Sequence, residues 1–167
     1  APAHTWLEVH EMVHEAGLFS NATMLYGHVE RFEHRIDHML RLRTLQDKTG
    51  GFKAFIPLRY RNDANALSHL PEVTPADDLR NYAVARLFLD NIPHLKAYWA
   101  MLGLDLATEA LDYGVDDLDG TVDDTTRIYS MAGGPKNPTA SVTVLEDAIR
   151  SKHRTPVERD SGYAVVG

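Results

Sequence analysis

FSNATMLYG, at residues 19–27, is a short apolar run between two longer segments of helical periodicity. Before it, residues 5–16 carry apolar side chains at helical spacing, and residues 30–48 repeat that spacing after it. The run itself predicts a β-strand over residues 19–25 that ends at Tyr26 and Gly27. A strand flanked by two helices is typical of βαβ units, in which the strands lie parallel. The sequence therefore predicts an α/β fold.

The same helix–strand order continues along the chain. Further strands are predicted over residues 52–58, 94–101 and 116–122, and further helices over residues 74–89, 104–113, 125–131 and 142–152, with a Gly- and Pro-rich loop over residues 133–141. The chain thus has four helix–strand units. Four units are half of a (β/α)8 barrel of the TIM type, which takes about 250 residues when complete. We therefore expect residues 1–167 to form a single half-barrel region of a larger enzyme. A doubly wound sheet is the alternative, although no G-x-G-x-x-G or P-loop motif supports a nucleotide-binding version of it.

Composition narrows the class of protein. The 167 residues are 44% hydrophobic and carry a net charge of −7, which favours a globular core and argues against binding to nucleic acid. No apolar run approaches the roughly 18 residues of a membrane span, so no membrane partner is expected. The chain contains 0 cysteines, which excludes disulfides, zinc ribbons and a thiolate-bound iron–sulfur cluster within it. A reducing, cytoplasmic location is the expectation.

Polar side chains at the strand ends are the first candidates for a functional site. In parallel α/β folds the working residues follow the carboxyl ends of the strands. His28 and Glu30 follow Gly27 at such an end, and we favour a ligand site there over an ordinary turn in which Glu30 serves the next helix. Lys96 and Asp119 lie inside apolar stretches, where a buried charge without a partner is strongly destabilising. A structural ion pair and a site role both remain open for these two residues.

Five segments carry a resemblance to one enzyme family. They are residues 20–30 (SNATMLYGHVE), 49–58 (TGGFKAFIPL), 89–99 (LDNIPHLKAYW), 116–121 (DDLDGT) and 156–160 (PVERD). In their order and spacing the chain resembles aminofutalosine synthase, a family of radical S-adenosylmethionine enzymes of menaquinone biosynthesis by the futalosine route. The related cyclic dehypoxanthinyl futalosine synthase shares the YGHVE and GGF-AFI segments, and a radical enzyme of that kind stays as an alternative.

The resemblance implies that the chain holds strands five to eight of a barrel. Enzymes of this family bind a [4Fe–4S] cluster on a Cys-x-x-x-Cys-x-x-Cys loop after the first strand, and the cluster cleaves S-adenosylmethionine to a 5′-deoxyadenosyl radical. In aminofutalosine synthase that radical adds to the small-molecule substrate 3-[(1-carboxyvinyl)oxy]benzoate. Because this chain has no cysteine, we expect it to be inactive alone and to require an N-terminal half-barrel as its partner. We also expect the isolated half to self-associate through its open sheet edges.

The resemblance implies which residues bind the cofactor, and strand-end position suggests which residues face the substrate. Those expected to bind S-adenosylmethionine lie on the fifth- and sixth-strand segments: Thr23, Leu25, Tyr26, Gly27, Glu30, Ile56, Pro57 and Leu58. Those expected to face the substrate as catalytic residues, on their strand-end position alone, are His28, Lys96, Trp99 and Asp119. An aromatic ring and a cation would suit a benzoate, because the ring can stack and the carboxylate can pair with the cation.

Two further alternatives come from outside these segments. His10, Glu11 and His14 fit the H-E-x-x-H pattern on a helix, and Glu33 follows at a spacing that some zinc peptidases use for a third ligand. The strand predicted over residues 19–25 separates these helices in the βα manner, so we expect a barrel helix there and no metal ligand in this chain. The last alternative is a non-catalytic half-barrel that dimerises.

Overall fold

The computed structural model describes residues 2–63, 65–122, 131 and 138–166. The helices within these residues are α1 (Ala3–Glu15), α2 (Phe32–Thr49), α3 (Pro75–Phe88), α4 (Trp99–Leu102), α5 (Leu104–Ala110) and α6 (Val142–Ser151), with a 3₁₀ turn at Leu111–Tyr113. The strands are β1 (Ser20–Tyr26), β2 (Phe52–Arg59) and β3 (His94–Leu95). Helices and strands alternate from α1 to β3, as the sequence predicts.

The strands form one parallel sheet in the order β1-β2-β3. β1 and β2 are paired along their length, from Ser20 opposite Phe52 to Tyr26 opposite Arg59, and β3 adds to the other side of β2. Parallel neighbours that are joined by helices confirm the predicted α/β class. The arrangement is compatible with part of a TIM-type barrel, in which β1 is an edge strand within the described residues.

The sheet has one buried face and one exposed face. On β1, Tyr26 is buried in the core, which joins this face of the sheet to α2 and α3, whereas Thr23 and Leu25 are exposed. Side chains alternate along a strand, and partners in a parallel pair share a face. Thr23 is paired with Ile56 and Leu25 with Leu58, so these four side chains lie on the same face, which we call the open face.

Two predicted helix boundaries are confirmed by their local chemistry. α3 begins after Thr74, whose hydroxyl accepts the backbone N–H of Asp77 at 3.2 Å, and Pro75 occupies its first position. This combination satisfies one amide of the first turn and sets the helical φ in advance. α2 ends at Gly50, where a φ of +62° suits glycine.

The third strand is much shorter than predicted. It was expected over residues 94–101, but it ends at Leu95, and the chain enters α4 at Trp99. A hydrogen bond from the Gly103 N–H to the Trp99 carbonyl (2.8 Å) closes the helical turn, and Gly103 has a φ of +92°. The prediction was wrong because a short apolar run that ends in glycine suits a helical turn as well as a strand. Trp99 and Ala100 are both buried, without the alternation of a half-exposed strand.

The fourth predicted strand, over residues 116–122, is also not formed. Within the described residues it is reduced to a parallel bridge between Lys96 and Asp117. The Asp117 Oδ1 atom accepts the backbone N–H of Asp119 at 2.7 Å, and Asp119 has a φ of +74°. A side-chain turn of this kind competes with strand pairing, so the extended run stops directly after the bridge.

Two further predictions reach beyond what the structure describes. The helix predicted over residues 125–131 lies outside the described residues except for Met131, and so do residues 133–137 of the predicted loop. Among the residues that are described, no helix is both long and apolar enough to cross a membrane.

Candidate functional site

The turn after β1 is organised by the carboxylate of Glu30. Its two oxygens accept the backbone N–H groups of Gly27 (2.6 Å) and His28 (2.9 Å), and Arg35 Nη2 lies 2.6 Å from Oε1. Burial acts to raise the pKa of Glu30, but these hydrogen bonds outweigh it and lower the pKa to about 2. Glu30 is therefore ionised and holds the turn in place, with both oxygens committed to the protein.

Gly27 is required by a contact within the protein. It has a φ of +91°, and a Cβ atom added there would lie 2.0 Å from Cγ2 of Val73. Both the backbone conformation and the neighbouring side chain exclude a larger residue. That a ligand also approaches the backbone here, as the sequence suggested, stays a prediction.

Tyr26 and Pro57 face away from the open face. The Tyr26 hydroxyl donates to Asp78 Oδ1 at 2.7 Å in the core, and the other oxygen of Asp78 lies 3.1 Å from Arg59 Nη1. Pro57 is paired with Met24 of the buried face. These side chains support the sheet from behind, so any contact that Tyr26 or Pro57 makes with a ligand would come from the backbone.

The open face brings together four of the residues expected to bind S-adenosylmethionine. Thr23 and Ile56 form one paired row, and Leu25 and Leu58 form the next row towards the carboxyl ends of the strands. Leu25 is 53% exposed in spite of its apolar side chain. Apolar side chains with one nearby hydroxyl group provide the kind of lining on which a nucleoside packs.

A charge cluster lies beside this patch. Lys96 Nζ is 2.9 Å from Asp119 Oδ1 and 3.4 Å from Asp117 Oδ2. Burial acts to lower the pKa of Lys96, but the hydrogen bond to Asp119 and the charges of both carboxylates outweigh it, so the pKa is raised. Lys96 therefore stays protonated. The ion pair that the sequence left open is formed, and it lies at the end of β3 beside the patch on the open face.

His28 and Trp99 are the other residues expected to face a substrate. His28 is half-buried, whereas Trp99 is buried. The His28 ring packs edge-on against Tyr60 (centroids 5.9 Å apart), and its Nδ1 atom accepts the Val29 N–H at 2.7 Å. Trp99 is only 5% exposed, and its indole N–H donates to the Gly120 carbonyl at 2.9 Å. Trp99 thus supports the segment that carries Asp119, and stacking of its ring on a substrate stays a prediction.

Tyr163 is a member of the site that the sequence did not indicate. Its hydroxyl donates to Asp117 Oδ2 at 2.9 Å, and its ring stacks on that of His94 with centroids 4.0 Å apart and planes 7° apart. Residues 154–167 show no periodicity, so no local pattern could place this side chain against the sheet. The one available signal was the resemblance of residues 156–160.

The H-E-x-x-H histidines form a hydrogen-bonded network. Thr49 donates its hydroxyl hydrogen to the Leu45 carbonyl (2.9 Å), so it accepts from His14 Nδ1 (2.7 Å). His14 Nε2 then accepts from the hydroxyl of Ser20 (2.8 Å), to which His10 Nδ1 donates (2.9 Å). Burial lowers the pKa of His14, which agrees with a neutral ring. Both ring nitrogens of His14 are therefore engaged by hydroxyl groups.

This network does not resemble a zinc site. Glu11 pairs with Lys48, and Glu33 lies 3.5 Å from Arg31 Nε. Ser20 opens β1, so the network lies at the amino ends of the strands, where barrels carry stabilising residues and not catalytic ones. In the part of the chain that is described, no three histidine or acidic side chains are grouped to hold a metal ion. The geometry thus argues against the zinc hydrolase alternative.

Comparison with known proteins identifies relatives along almost the whole chain. A family model described as the CofH/MqnC C-terminal region matches residues 49–166. The chain is 51% identical to an aminodeoxyfutalosine synthase of Thermus thermophilus, over 98% of the chain and 45% of that protein. It is 38% identical to a cyclic dehypoxanthine futalosine synthase of Streptomyces coelicolor, over 95% of the chain and 39% of that protein.

A third relative has a different activity in its name. It is a 5-amino-6-(D-ribitylamino)uracil–L-tyrosine 4-hydroxyphenyl transferase of Methanococcoides burtonii, 38% identical over 95% of the chain and 46% of that protein. The chain therefore spans less than half the length of each of these relatives.

Proposed function

The chain belongs to the CofH/MqnC C-terminal region family, and from this premise we propose that it is the C-terminal half of an aminofutalosine synthase. In this proposal it supplies strands five to eight of the barrel of a radical S-adenosylmethionine enzyme. In this proposal the whole enzyme adds the 5′-deoxyadenosyl group to the vinyl carbon of 3-[(1-carboxyvinyl)oxy]benzoate, and rearrangement with loss of the carboxyl group gives aminofutalosine for menaquinone biosynthesis. The identity of 51% to the aminodeoxyfutalosine synthase of Thermus thermophilus, against 38% to each of the two relatives described above that have other activities, favours this reaction.

One observation of the structure carries the proposal. Thr23 and Leu25, which are exposed, and Ile56 and Leu58, which are half-buried, form a patch on the open face, and Lys96 lies beside it at the end of the neighbouring strand. Without a partner, the apolar side chains of this patch contact water. A partner half and a bound nucleoside would cover them, which explains why they are apolar. The patch and the cation suit an adenosyl group and a carboxylate, which are the two chemical features of the proposed reactants.

The residues fit one of the two implied cofactors. The open face suits the adenosyl part of S-adenosylmethionine, whereas the chain has 0 cysteines and so supplies no thiolate for a [4Fe–4S] cluster. The cluster ligands then belong to the N-terminal half, which the greater length of the relatives accommodates. When bound, the cluster and S-adenosylmethionine supply radical chemistry.

The chain's own part is to bind and to orient. Lys96 keeps its proton and has three N–H donors, of which Asp117 and Asp119 take two, so the third can reach a substrate carboxylate. Glu30 fixes the turn that presents His28 at the end of β1. The indole N–H of the buried Trp99 donates to the Gly120 carbonyl and so holds Gly120 beside Asp119.

The proposal is tested by reconstitution under anaerobic conditions. The chain, mixed with a cysteine-bearing N-terminal half that carries its cluster, should form aminofutalosine from S-adenosylmethionine and 3-[(1-carboxyvinyl)oxy]benzoate, as detected by mass spectrometry. Each half alone is the control and should form none. Folded, cluster-loaded halves that associate and yet form no product would contradict the proposal. Turnover of dehypoxanthine futalosine instead would assign the chain to the cyclic dehypoxanthine futalosine synthase activity.

A further inference from the structure

A hairpin over residues 158–166 is built by its own hydrogen bonds. Arg159 and Val165 form an antiparallel bridge, and the Asp160 N–H donates to the Ala164 carbonyl at 2.9 Å. The Asp160 side chain closes the turn, because its Oδ1 atom accepts the N–H groups of Gly162 (2.8 Å) and Ala164 (2.9 Å). This 158–166 hairpin is thus an ordered element and not a loose tail.

The hairpin is fastened to the segments that carry the charge cluster. Arg159 Nη2 donates to the Asp116 carbonyl at 2.8 Å, and Arg159 Nη1 lies 3.4 Å from Asp116 Oδ2. The Tyr163 ring stacks in parallel on His94, the first residue of β3, at a centroid distance of 4.0 Å. These contacts place the Tyr163 hydroxyl at the carboxylate of Asp117.

Asp117 is held at both of its oxygens. Oδ2 accepts the Tyr163 hydroxyl at 2.9 Å and also lies 3.4 Å from Lys96 Nζ. Oδ1 accepts the backbone N–H of Asp119 at 2.7 Å. Oδ1 is thus held by the backbone, while Oδ2 is shared between the Tyr163 hydroxyl and Lys96. A carboxylate that loses one of the two partners of Oδ2 is less restrained in its rotation about the bond to Cβ.

Backbone strain is concentrated in the same cluster. Tyr163 has a φ of +69° and Asp119 a φ of +74°, which lie in the left-handed region where a non-glycine residue is strained. The hairpin turn alone does not explain a tyrosine there, because glycine or asparagine would adopt this conformation with less strain. Strain of this kind persists where the surrounding contacts require the side chain, and the contacts made here are the hydrogen bond to Asp117 and the stacking on His94.

We propose that Tyr163 is a positioning residue, which holds the Asp117 carboxylate against Lys96 so that the lysine meets the ligand of the open face in a fixed orientation. The inference rests on the proposed function in one respect, namely that the open face is the ligand-binding face. The hairpin would then be part of the site, although it lies far from β1 and β2 in sequence.

The first test does not depend on the reaction. In the full-length protein with ¹³C-dimethylated lysines, the Lys96 signal is assigned with a Lys96→Arg variant and titrated by NMR. Tyr163→Phe keeps the ring on His94 and removes the hydroxyl, so the pKa of Lys96 should fall towards its ordinary value as Asp117 turns away. Tyr113→Phe, at an exposed tyrosine, is the matched control and should leave the titration unchanged. An unchanged Lys96 titration in Tyr163→Phe overturns the proposal.

The second test uses turnover and separates positioning from a general structural role. Tyr163→Phe should raise the KM for 3-[(1-carboxyvinyl)oxy]benzoate about fivefold with little change in kcat, because it weakens a binding interaction. Asp117→Asn should act similarly, and the double variant should be no worse than Asp117→Asn alone, because both changes act through one carboxylate. Additive effects would overturn the proposal. If the wild-type enzyme forms no aminofutalosine, the proposed function fails while the Lys96 titration still decides the role of Tyr163.

Discussion

At the scale of single residues, the candidate site is shaped by side chains whose own contacts are within the protein. Glu30 and Arg35 hold the turn after β1, and Trp99 holds Gly120. Buried polar groups with complete hydrogen bonding are rigid, and a rigid frame fixes where the exposed residues point. The residues that would touch a ligand, such as Leu25 and Lys96, depend on this frame for their positions.

The turn after β1 provides the first prediction. Glu30→Gln should lower the free energy of unfolding by about 2 kcal/mol, because the amide loses the charge that the two N–H groups and Arg35 share. The folded pKa of about 2 lies below that of an unfolded glutamate, so this stabilisation is present above about pH 4.3 and is lost as the pH falls towards 2. Urea denaturation of both proteins, at neutral and at acidic pH, measures the difference.

The control for this prediction is Glu33→Gln. Glu33 and its partner Arg31 are both exposed, so the change in the free energy of unfolding should stay below about 0.5 kcal/mol at either pH. An equal loss in Glu30→Gln and Glu33→Gln would show that the carboxylate of Glu30 does not organise the turn.

Gly51 offers a second prediction at the residue scale. A Cβ atom there would lie 2.1 Å from Cγ of His14, so Gly51→Ala must displace a buried ring. We expect a loss of about 1–3 kcal/mol in the free energy of unfolding, the usual effect of overpacking. Gly120→Ala is the matched control, because nothing lies within 4 Å of its added atom, and it should change stability by less than about 0.5 kcal/mol. Two variants of equal stability would contradict the placement of His14.

At the scale of elements, α1 is attached to the amino ends of the strands by neutral histidines. Burial lowers the pKa of His10, and the charge of His14 lowers it further, while burial also lowers the pKa of His14 and of His38 on α2. Protonation would place a hydrogen on His14 Nε2, which could then no longer accept the hydrogen bond from the Ser20 hydroxyl. The docking of α1 should therefore depend on pH.

The sign of this dependence follows from proton linkage. With folded pKa values below the unfolded value of about 6.5, the unfolded chain binds more protons than the folded one as the pH falls. The stabilisation is complete above about pH 6.5 and decreases below it, so Tm should fall between about pH 7 and about pH 5.5. His14→Gln should flatten this decrease, whereas His4→Gln, at an exposed residue of the same helix, should not. A Tm that is constant over this range contradicts the prediction.

The elements differ in how far the sequence could define them. β1, β2 and the first helices were predicted close to their observed bounds, because their alternation and end signals are local. β3 and the expected fourth strand were not, because Trp99 turns into a helix and Asp117 forms a side-chain turn. Both departures occur at the carboxyl ends of strands, where site residues are concentrated.

At the scale of the whole molecule, the exposed patch on the open face predicts a binding surface. Leu25→Asp in the full-length protein should weaken the binding of S-adenosylmethionine about tenfold or more, because it places a charge under the adenosyl group. Leu87→Asp, on an even more exposed leucine of α3, is the matched control and should leave the affinity within about twofold. Equilibrium dialysis measures both, and circular dichroism verifies that each variant is folded. Equal affinities for the two variants would exclude the open face as the ligand site.

The edge of the sheet carries a related expectation. β1 is bordered on one side only within the described residues, so the isolated chain should self-associate and the N-terminal half should displace the second copy. Sedimentation of the chain with and without that half would measure the exchange. A monomeric isolated chain would contradict this expectation.

Local sequence patterns were enough to predict the α/β class and the alternation of helices with strands. These features follow from periodicity and end signals within about ten to twenty residues, so they are visible without the fold. The resemblance of the five segments then indicated the family that comparison confirmed.

The contacts between residues that are far apart in sequence could be identified only from the tertiary structure. Tyr163 reaches Asp117 across 46 positions of the chain, and His14 reaches Thr49 across 35. The burial of Trp99 and the hydrogen bond from Tyr163 to Asp117 also depend on contacts between distant segments. No local pattern encodes such contacts, because they are set by the packing of the whole core and not by the spacing of neighbours in sequence.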